Sequence, residues 1–386
     1  MTLSRLTVGF VPLLDCAALV VAAEKGFAAA EGLHLNLVRE SSWANIRDRV
    51  IVGQFQAAHM LGPMAIASTL GIGHLQVPMV APVALGLGGN GITVSESLWT
   101  ALQNHGAKLG ADPVTQGAAL AAVVRERAQG GAAPLTLAMV YPFSAHNYEL
   151  RYWLAASGVD PDEDVSLVVI PPPFMTDALC SGQIDGFCSG EPWNSLAVAG
   201  AQGRIVLGTS AIWRHSPEKV LGMRADWAAG HRPETAALVR AVYHAAQWCE
   251  RPESHPELTA LLAQPRFVGE SAELLERGVS GTLRLSPDSP PRPLPDFLLY
   301  ARHDATFPWA SHALWFYSQM VRWKQVAASP HAASAARATY RPDLYREALQ
   351  PLNVSAPASD LKVEAAGAGG FFDGRPFDPT DFIGMA

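Results

Sequence analysis

The sequence predicts an α/β protein of two lobes of similar plan, with a ligand cleft between them. Two observations carry this expectation. First, residues 53–64 (GQFQAAHMLGPM) and 182–193 (GQIDGFCSGEPW) repeat one pattern 129 positions apart (182 less 53). Gly-Gln matches Gly-Gln, Phe55 matches Ile184, Gln56 matches Asp185 and Pro63 matches Pro192. Second, each copy follows the same elements: a strand-like run (33–38; 165–170), then a helix-like run (43–52; 174–181). A glycine that tolerates positive φ is a common helix stop, and a β-rich segment follows each one.

Taken in order, residues 6–11 read as the first strand, and 16–25 are apolar at helical spacing up to Gly26. Residues 33–38 alternate as a second strand. Ser41 or Ser42 caps the helix that follows. A strand at 57–60 leads into a short helix at 63–70. Residues 78–87 read as a buried strand, and a glycine-rich turn at 88–91 precedes Ile92-Thr93-Val94. The Ala-rich stretch 95–130 is helical in two pieces, broken near 110–113. A strand at 135–140, a polar turn at 141–147 and a helix at 148–157 come before the second copy. Strands at 204–207 and 220–224 follow it. Residues 233–263 predict a helix pair broken between Pro252 and Pro256, and the proline-rich 286–295 a loop. The aromatic run 310–326 and residues 341–349 predict helices, and the tail from Pro357 is expected to be partly ordered. The chain should cross between lobes more than once. Lobe I is expected over 1–96 plus 210–386 and lobe II over 97–209.

Composition narrows the function. The 386 residues allow two or three domains, and 49% hydrophobic content supports a large core. A net charge of −7 argues against direct nucleic-acid binding through phosphates. No run approaches the roughly 20 apolar residues of a membrane span. The first strand begins almost at Met1, so no secretory leader and a cytoplasmic location are expected. The scattered Cys16, Cys180, Cys188 and Cys249 read as reduced core residues. No HxxxH or CxxC spacing suggests a metal site, and no GxSxG or P-loop suggests an enzyme; no cofactor is expected. Residues 86–91 satisfy a bare GxGxxG string, but a strand-like run follows where a dinucleotide site needs a helix.

The motifs FVPLLDCA, SSWANIRDRV, AAHMLGPM, GNGITVS, HNYELRYWLA, VSLVVIPPPFM, FCSGEPWN and HSPEKVLGM occur in this order across residues 10–223. As a set they resemble the nitrate/nitrite/bicarbonate solute-binding proteins of ABC transporters. The resemblance implies the two-lobed periplasmic-binding-protein fold of type II. Without a leader, the chain is similar to cytoplasmic nitrate/nitrite sensors within that family. Those hold a response regulator with an RNA-binding (ANTAR-type) antitermination domain and release it when nitrate or nitrite binds. The alternative is a transporter's solute-binding protein for nitrate, nitrite or bicarbonate. The fold also hosts thiamine-pyrimidine synthases, but those carry a cysteine-rich iron motif unlike the dispersed cysteines here.

A small oxyanion needs a positive charge, several N–H donors and a dry wall. The resemblance makes Lys219, in Ser216-Pro217-Glu218-Lys219-Val220, the expected charge; unaided, it would read as one of many solvated basic residues. His146 lies before the Tyr148 helix, where N–H groups favour anions, and Asn147 beside it offers further N–H groups. A helix cap or surface role would suit His146 equally. Trp43 is expected to line the anion site, although a lone Trp also suits core packing. Asn90 is expected to offer its amide, against a plain turn role, and Gly89 to let backbone approach the ligand. Glu191, Pro192 and Trp193 read as cleft or hinge structure, and His59 as a buried structural histidine.

Overall fold

The computed structural model describes residues 3–73, 75–365 and 370–380. Strands β1 (Ser4–Phe10), β2 (Leu33–Arg39), β3 (Ala57–Leu61), β4 (Met79–Val80), β5 (Leu87–Gly88), β6 (Asn90–Ser95), β7 (Leu135–Met139), β8 (Val165–Val169), β9 (Gly186–Gly190), β10 (Gly203–Gly208) and β11 (Lys219–Arg224) carry the architecture. One five-stranded sheet runs β2-β1-β3-β11-β4, and a second runs β8-β7-β9-β6-β10. In the first, β1, β2 and β3 are parallel and β11 runs against β3. In the second, β7, β8 and β9 are parallel and β6 runs against β9. The two sheets therefore share one plan, strand for strand. This is the type II periplasmic-binding-protein arrangement.

The lobe boundary differs from the expected one. β6 lies in the second sheet, so that sheet begins at Asn90 and not at 97. Each lobe borrows its antiparallel strand from chain beyond a crossover. β6 follows the first lobe's strands, and β11 follows the second lobe's. A linear reading of the sequence cannot see which sheet a lone strand joins, because pairing is decided by long-range packing.

Local chemistry sets the element ends. Ser42, Ser95 and Ser144 cap the helices Trp43–Ile51, Glu96–Asn104 and Ala145–Ala156, each accepting a backbone N–H three residues on. Asp112 does so for Pro113–Gln129. The expected strand at 78–87 is interrupted. Only β4 and β5 form, because Pro78 and Pro82 withhold ladder N–H groups and Gly86 sits at φ +138°. Ala272–Ser280 and Pro330–Thr339 are helices that the sequence pattern does not predict. Ser271 caps the first of them, which buries Leu274, Leu275 and Val279. Cys16, Cys188 and Cys249 are buried as expected, but Cys180 is exposed.

Among the described residues, two large apolar clusters and a small one (Leu87, Leu299, Ala305) make the core. One large cluster packs one face of the first sheet against the helix Arg232–Cys249, and the other face of that sheet (Ala58, Met60, Val220) joins the second large cluster. That second cluster spans the second sheet and the aromatic helix Ala310–Arg322. Part of the tail from Pro357 lies outside the described residues, at 366–369 and 381–386. Its described part is packed: Phe371 stacks on Tyr152 and on Trp315, and buried Glu364 lies 3.4 Å from His312. Among the described residues, no helix is long and apolar enough to cross a membrane.

Candidate functional site

Two equivalent strands deliver the centre of the site. β11 opens with Lys219, which pairs with Leu61 of β3. β6 opens with Asn90, which pairs with Gly190 of β9. Both begin a strand just after a crossover, so both side chains stand where the two sheets meet. The turns after β1 and β7 add Asp15, in the short 3-10 helix Leu14–Cys16, and His146, in the first turn of Ala145–Ala156. Trp43 is the first residue of the helix after β2.

The cluster is buried throughout: Asn90 and His146 are fully buried, and Lys219 and Trp43 are 1% exposed. The Lys219 Nζ lies 2.7 Å from Asp15 Oδ2 and 2.5 Å from Glu218 Oε2. It also lies 5.5 Å from the centroid of the Trp43 ring, within cation–π range. His59 Nε2 is 2.9 Å from Asp15 Oδ1, and its ring meets Trp43 edge-on at 5.2 Å. Asn90 Nδ2 donates to Glu218 Oε1 at 2.7 Å and reaches Glu149 Oε2 at 3.5 Å. His146 Nδ1 lies 3.1 Å from Glu218 Oε1, without hydrogen-bond geometry. Gly190 keeps the space open, since a Cβ there would sit 3.3 Å from Asn90 Oδ1.

Burial and charge tune these groups in different directions. Burial works against the Lys219 ammonium, but Asp15 and Glu218 outweigh it and raise its pKa, so the lysine stays charged. Burial likewise opposes the Asp15 carboxylate, yet Lys219 and His59 hold it far below its ordinary range. Burial, then the neighbouring Glu218 charge, pushes Glu149 up to about 8. Glu218 is also raised, by burial, although Lys219 opposes the shift. Burial and then Lys219 hold His146 well below its usual value, so its ring is neutral at pH 7. Several polar atoms in the cluster have no hydrogen-bond partner among the described residues: Trp43 Nε1, His146 Nε2, Asn90 Oδ1 and Glu149 Oε1. Buried polar atoms without partners are costly, and here four of them lie in one cluster.

Four of the six residues singled out from the sequence meet here: Trp43, Asn90, His146 and Lys219. Asn147 does not. Its Nδ2 donates to Pro142 O at 2.7 Å, its Oδ1 accepts from Arg151 Nε, and Ser144 Oγ accepts its backbone N–H. Gly89 adopts φ +88°, but its backbone groups are engaged: its N–H donates to Phe297 O, and its carbonyl accepts from Glu191 N. The Glu191 carbonyl accepts from Leu14 N of the first lobe at 2.9 Å and so ties the two lobes together here. Sequence reasoning missed Asp15, Glu149 and Glu218. A signal was present, since all three lie inside the motifs FVPLLDCA, HNYELRYWLA and HSPEKVLGM.

The profile described as the NMT1-like family matches residues 2–263. Over 97% of its length the chain is 34% identical to the nitrate/nitrite binding protein NrtA of Synechococcus elongatus, covering 84% of that protein. It is 36% identical to the nitrate import ATP-binding protein NrtC of Synechocystis and spans 54% of that protein's length, about half. The crystal structure of the periplasmic nitrate-binding protein NrtA from Synechocystis superposes with a TM-score of 0.88 at 29% identity, covering 99% of this chain and 98% of that one.

Proposed function

Because this chain belongs to the NMT1-like family, we propose that it is the solute-binding protein of an ABC transporter and takes nitrate or nitrite into the cleft between its two lobes. The observation that carries this reading is the Lys219 ammonium, sealed from water between the two sheets. Around it stand the unpaired Trp43 Nε1 and His146 Nε2. An ammonium supplies a compact charge, and indole and imidazole N–H groups supply oriented donors for a planar oxyanion. Trp43 also walls the site from solvent. Lobe closure is the binding step, and the ligand favours closure only as far as it binds the closed state better.

The named relatives are import and binding proteins, and this favours transport over the cytoplasmic sensor expected from the sequence. In the sensor reading the same anion would release an antitermination regulator. The two readings share the anion-binding step and separate on cell fractionation with partner capture. A periplasmic or membrane-associated pool supports transport, and nitrate-dependent release of a captured regulator supports the sensor.

Titration calorimetry with nitrate, nitrite and bicarbonate tests the binding reading. Nitrate or nitrite should bind, and Lys219→Ala should weaken binding about tenfold to a hundredfold, the worth of hydrogen bonds to a charged group. Wild-type affinity in a folded Lys219→Ala protein removes the lysine from the site.

A further inference from the structure

The charge count of the cleft is wrong for an anion unless protons take part. Three carboxylates are buried in the cluster with one ammonium: Asp15 and Glu218 lie against Lys219, and Glu149 reaches the Asn90 amide. Asp15 is held ionised by Lys219 and His59, so this pair alone already cancels the lysine charge. Glu149 and Glu218 converge on a single donor, the Asn90 amide, at 3.5 and 2.7 Å. Two carboxylates sharing one donor in a dry site cannot both ionise cheaply. A monoanion added next to them raises the negative charge of a dry site again.

We propose that Glu149 and Glu218 form a proton-holding pair, so that the oxyanion enters the cleft together with one proton drawn from bulk water. No covalent bond forms: a carboxylate oxygen of the pair gains the proton, and the resulting O–H replaces a repelling charge with a donor. The Glu149 carboxyl, beside the Asn90 amide and the Ser216 and Thr209 hydroxyls, is placed to take that role. This rests on the anion reading given above.

The surroundings of the pair are consistent with proton storage. Facing Glu149 are the hydroxyls of Ser216 and Thr209 from the crossover, Asn90 from β6 and Glu218 from β11. The Cys188 thiol of β9 feels both glutamates and is itself raised by burial, so it stays neutral. Facing Glu218 are Lys219, Asp15, His146 and the Tyr340 phenol. His146 and Tyr340 stay neutral through the same range, which leaves the glutamate pair as the group able to titrate near neutral pH.

The test is calorimetric titration of the full chain with nitrate at pH 6 to 9, in buffers of different ionisation enthalpy. Nitrate itself does not titrate there, so any proton taken up belongs to the protein. Uptake is expected to be small at pH 6 and to approach one proton toward pH 9, with affinity falling by up to about tenfold per pH unit above about pH 8. Glu149→Gln and Glu218→Gln keep the shape of the side chain, and their folding is checked by thermal melting. Each should lower the proton uptake and flatten the pH dependence. Nitrate binding with no proton uptake at any pH overturns this proposal alone, as does an unaltered pH profile in both variants. Absence of binding by nitrate, nitrite and bicarbonate overturns the anion reading itself, and this proposal with it.

Discussion

At the scale of single residues, Lys219 does two jobs. It offers a charge to the cleft, and it neutralises Asp15 at 2.7 Å. Removing one member of a buried ion pair leaves the other charge uncompensated, at a cost of about 3–5 kcal/mol. Lys219→Ala should therefore lower the melting temperature as well as the affinity, and a melt unchanged from wild type would place the ion pair outside the folding energetics. Trp43 separates the two effects. Its indole N–H has no partner among the described residues while its ring is buried against His59. Trp43→Phe keeps an aromatic ring and loses the donor. Nitrate affinity should fall about tenfold, as for one lost hydrogen bond to an anion. Calorimetry that finds wild-type affinity would assign Trp43 to packing alone.

Elements hold these residues in register. β3 runs into the helix Gly62–Leu70 at Gly62, whose N–H donates to Glu218 O at 3.1 Å. A Cβ there would meet the Tyr340 hydroxyl at 2.2 Å and Glu218 O at 3.1 Å. Gly62→Ala must push β11 or Tyr340 away, at about 1–3 kcal/mol for overpacking. Chemical denaturation should show that loss, and anion affinity should drop with it because Glu218 and Lys219 move together. The buried carboxylates also impose a pH slope. Glu149 and Glu191 are raised in the fold to about 8 and about 7 from ordinary values near 4.5. Between those limits the folded state holds more protons than the unfolded chain, so stability falls as pH rises from about 4.5 to 8. Each group contributes up to about 1.4 kcal/mol per pH unit within its window. Urea melts across pH 5 to 8 should show this fall, and Glu149→Gln should remove part of it. Asp15 acts oppositely: its pKa is depressed, so its contribution is lost only in acid, below the ordinary carboxylate range.

At the scale of the molecule, the tail crosses the seam between the lobes on packed aromatic surface. Phe371 touches Tyr152 of the second lobe, Trp213 of the crossover and Trp315 of the helix Ala310–Arg322. The Tyr152 hydroxyl donates to the Asp373 carboxylate at about 3.0 Å. Phe371→Ala should cost about 3–5 kcal/mol, as for other buried aromatics. A variant with an unchanged melting temperature would make the tail an ornament on an already complete core.

The sequence by itself determined what short-range chemistry can write. The serine caps, the glycine stops and the repeated strand-helix-strand order are local, and each is present in the folded chain. The ordered motifs named the family and brought forward Lys219, Trp43, Asn90 and His146. Tertiary structure alone decided which sheet β6 joins, because a strand's partner is chosen by packing at long range and not by its own residues. It also decided that Asn147 and Gly89 are engaged away from the site, that Asp15 and Glu218 meet at one ammonium, and that Glu149 joins Glu218 at the Asn90 amide. Those carboxylates lie 134 and 69 positions apart in the chain (149 less 15; 218 less 149). Only folding removes the water between them, and without water their charges can no longer be independent.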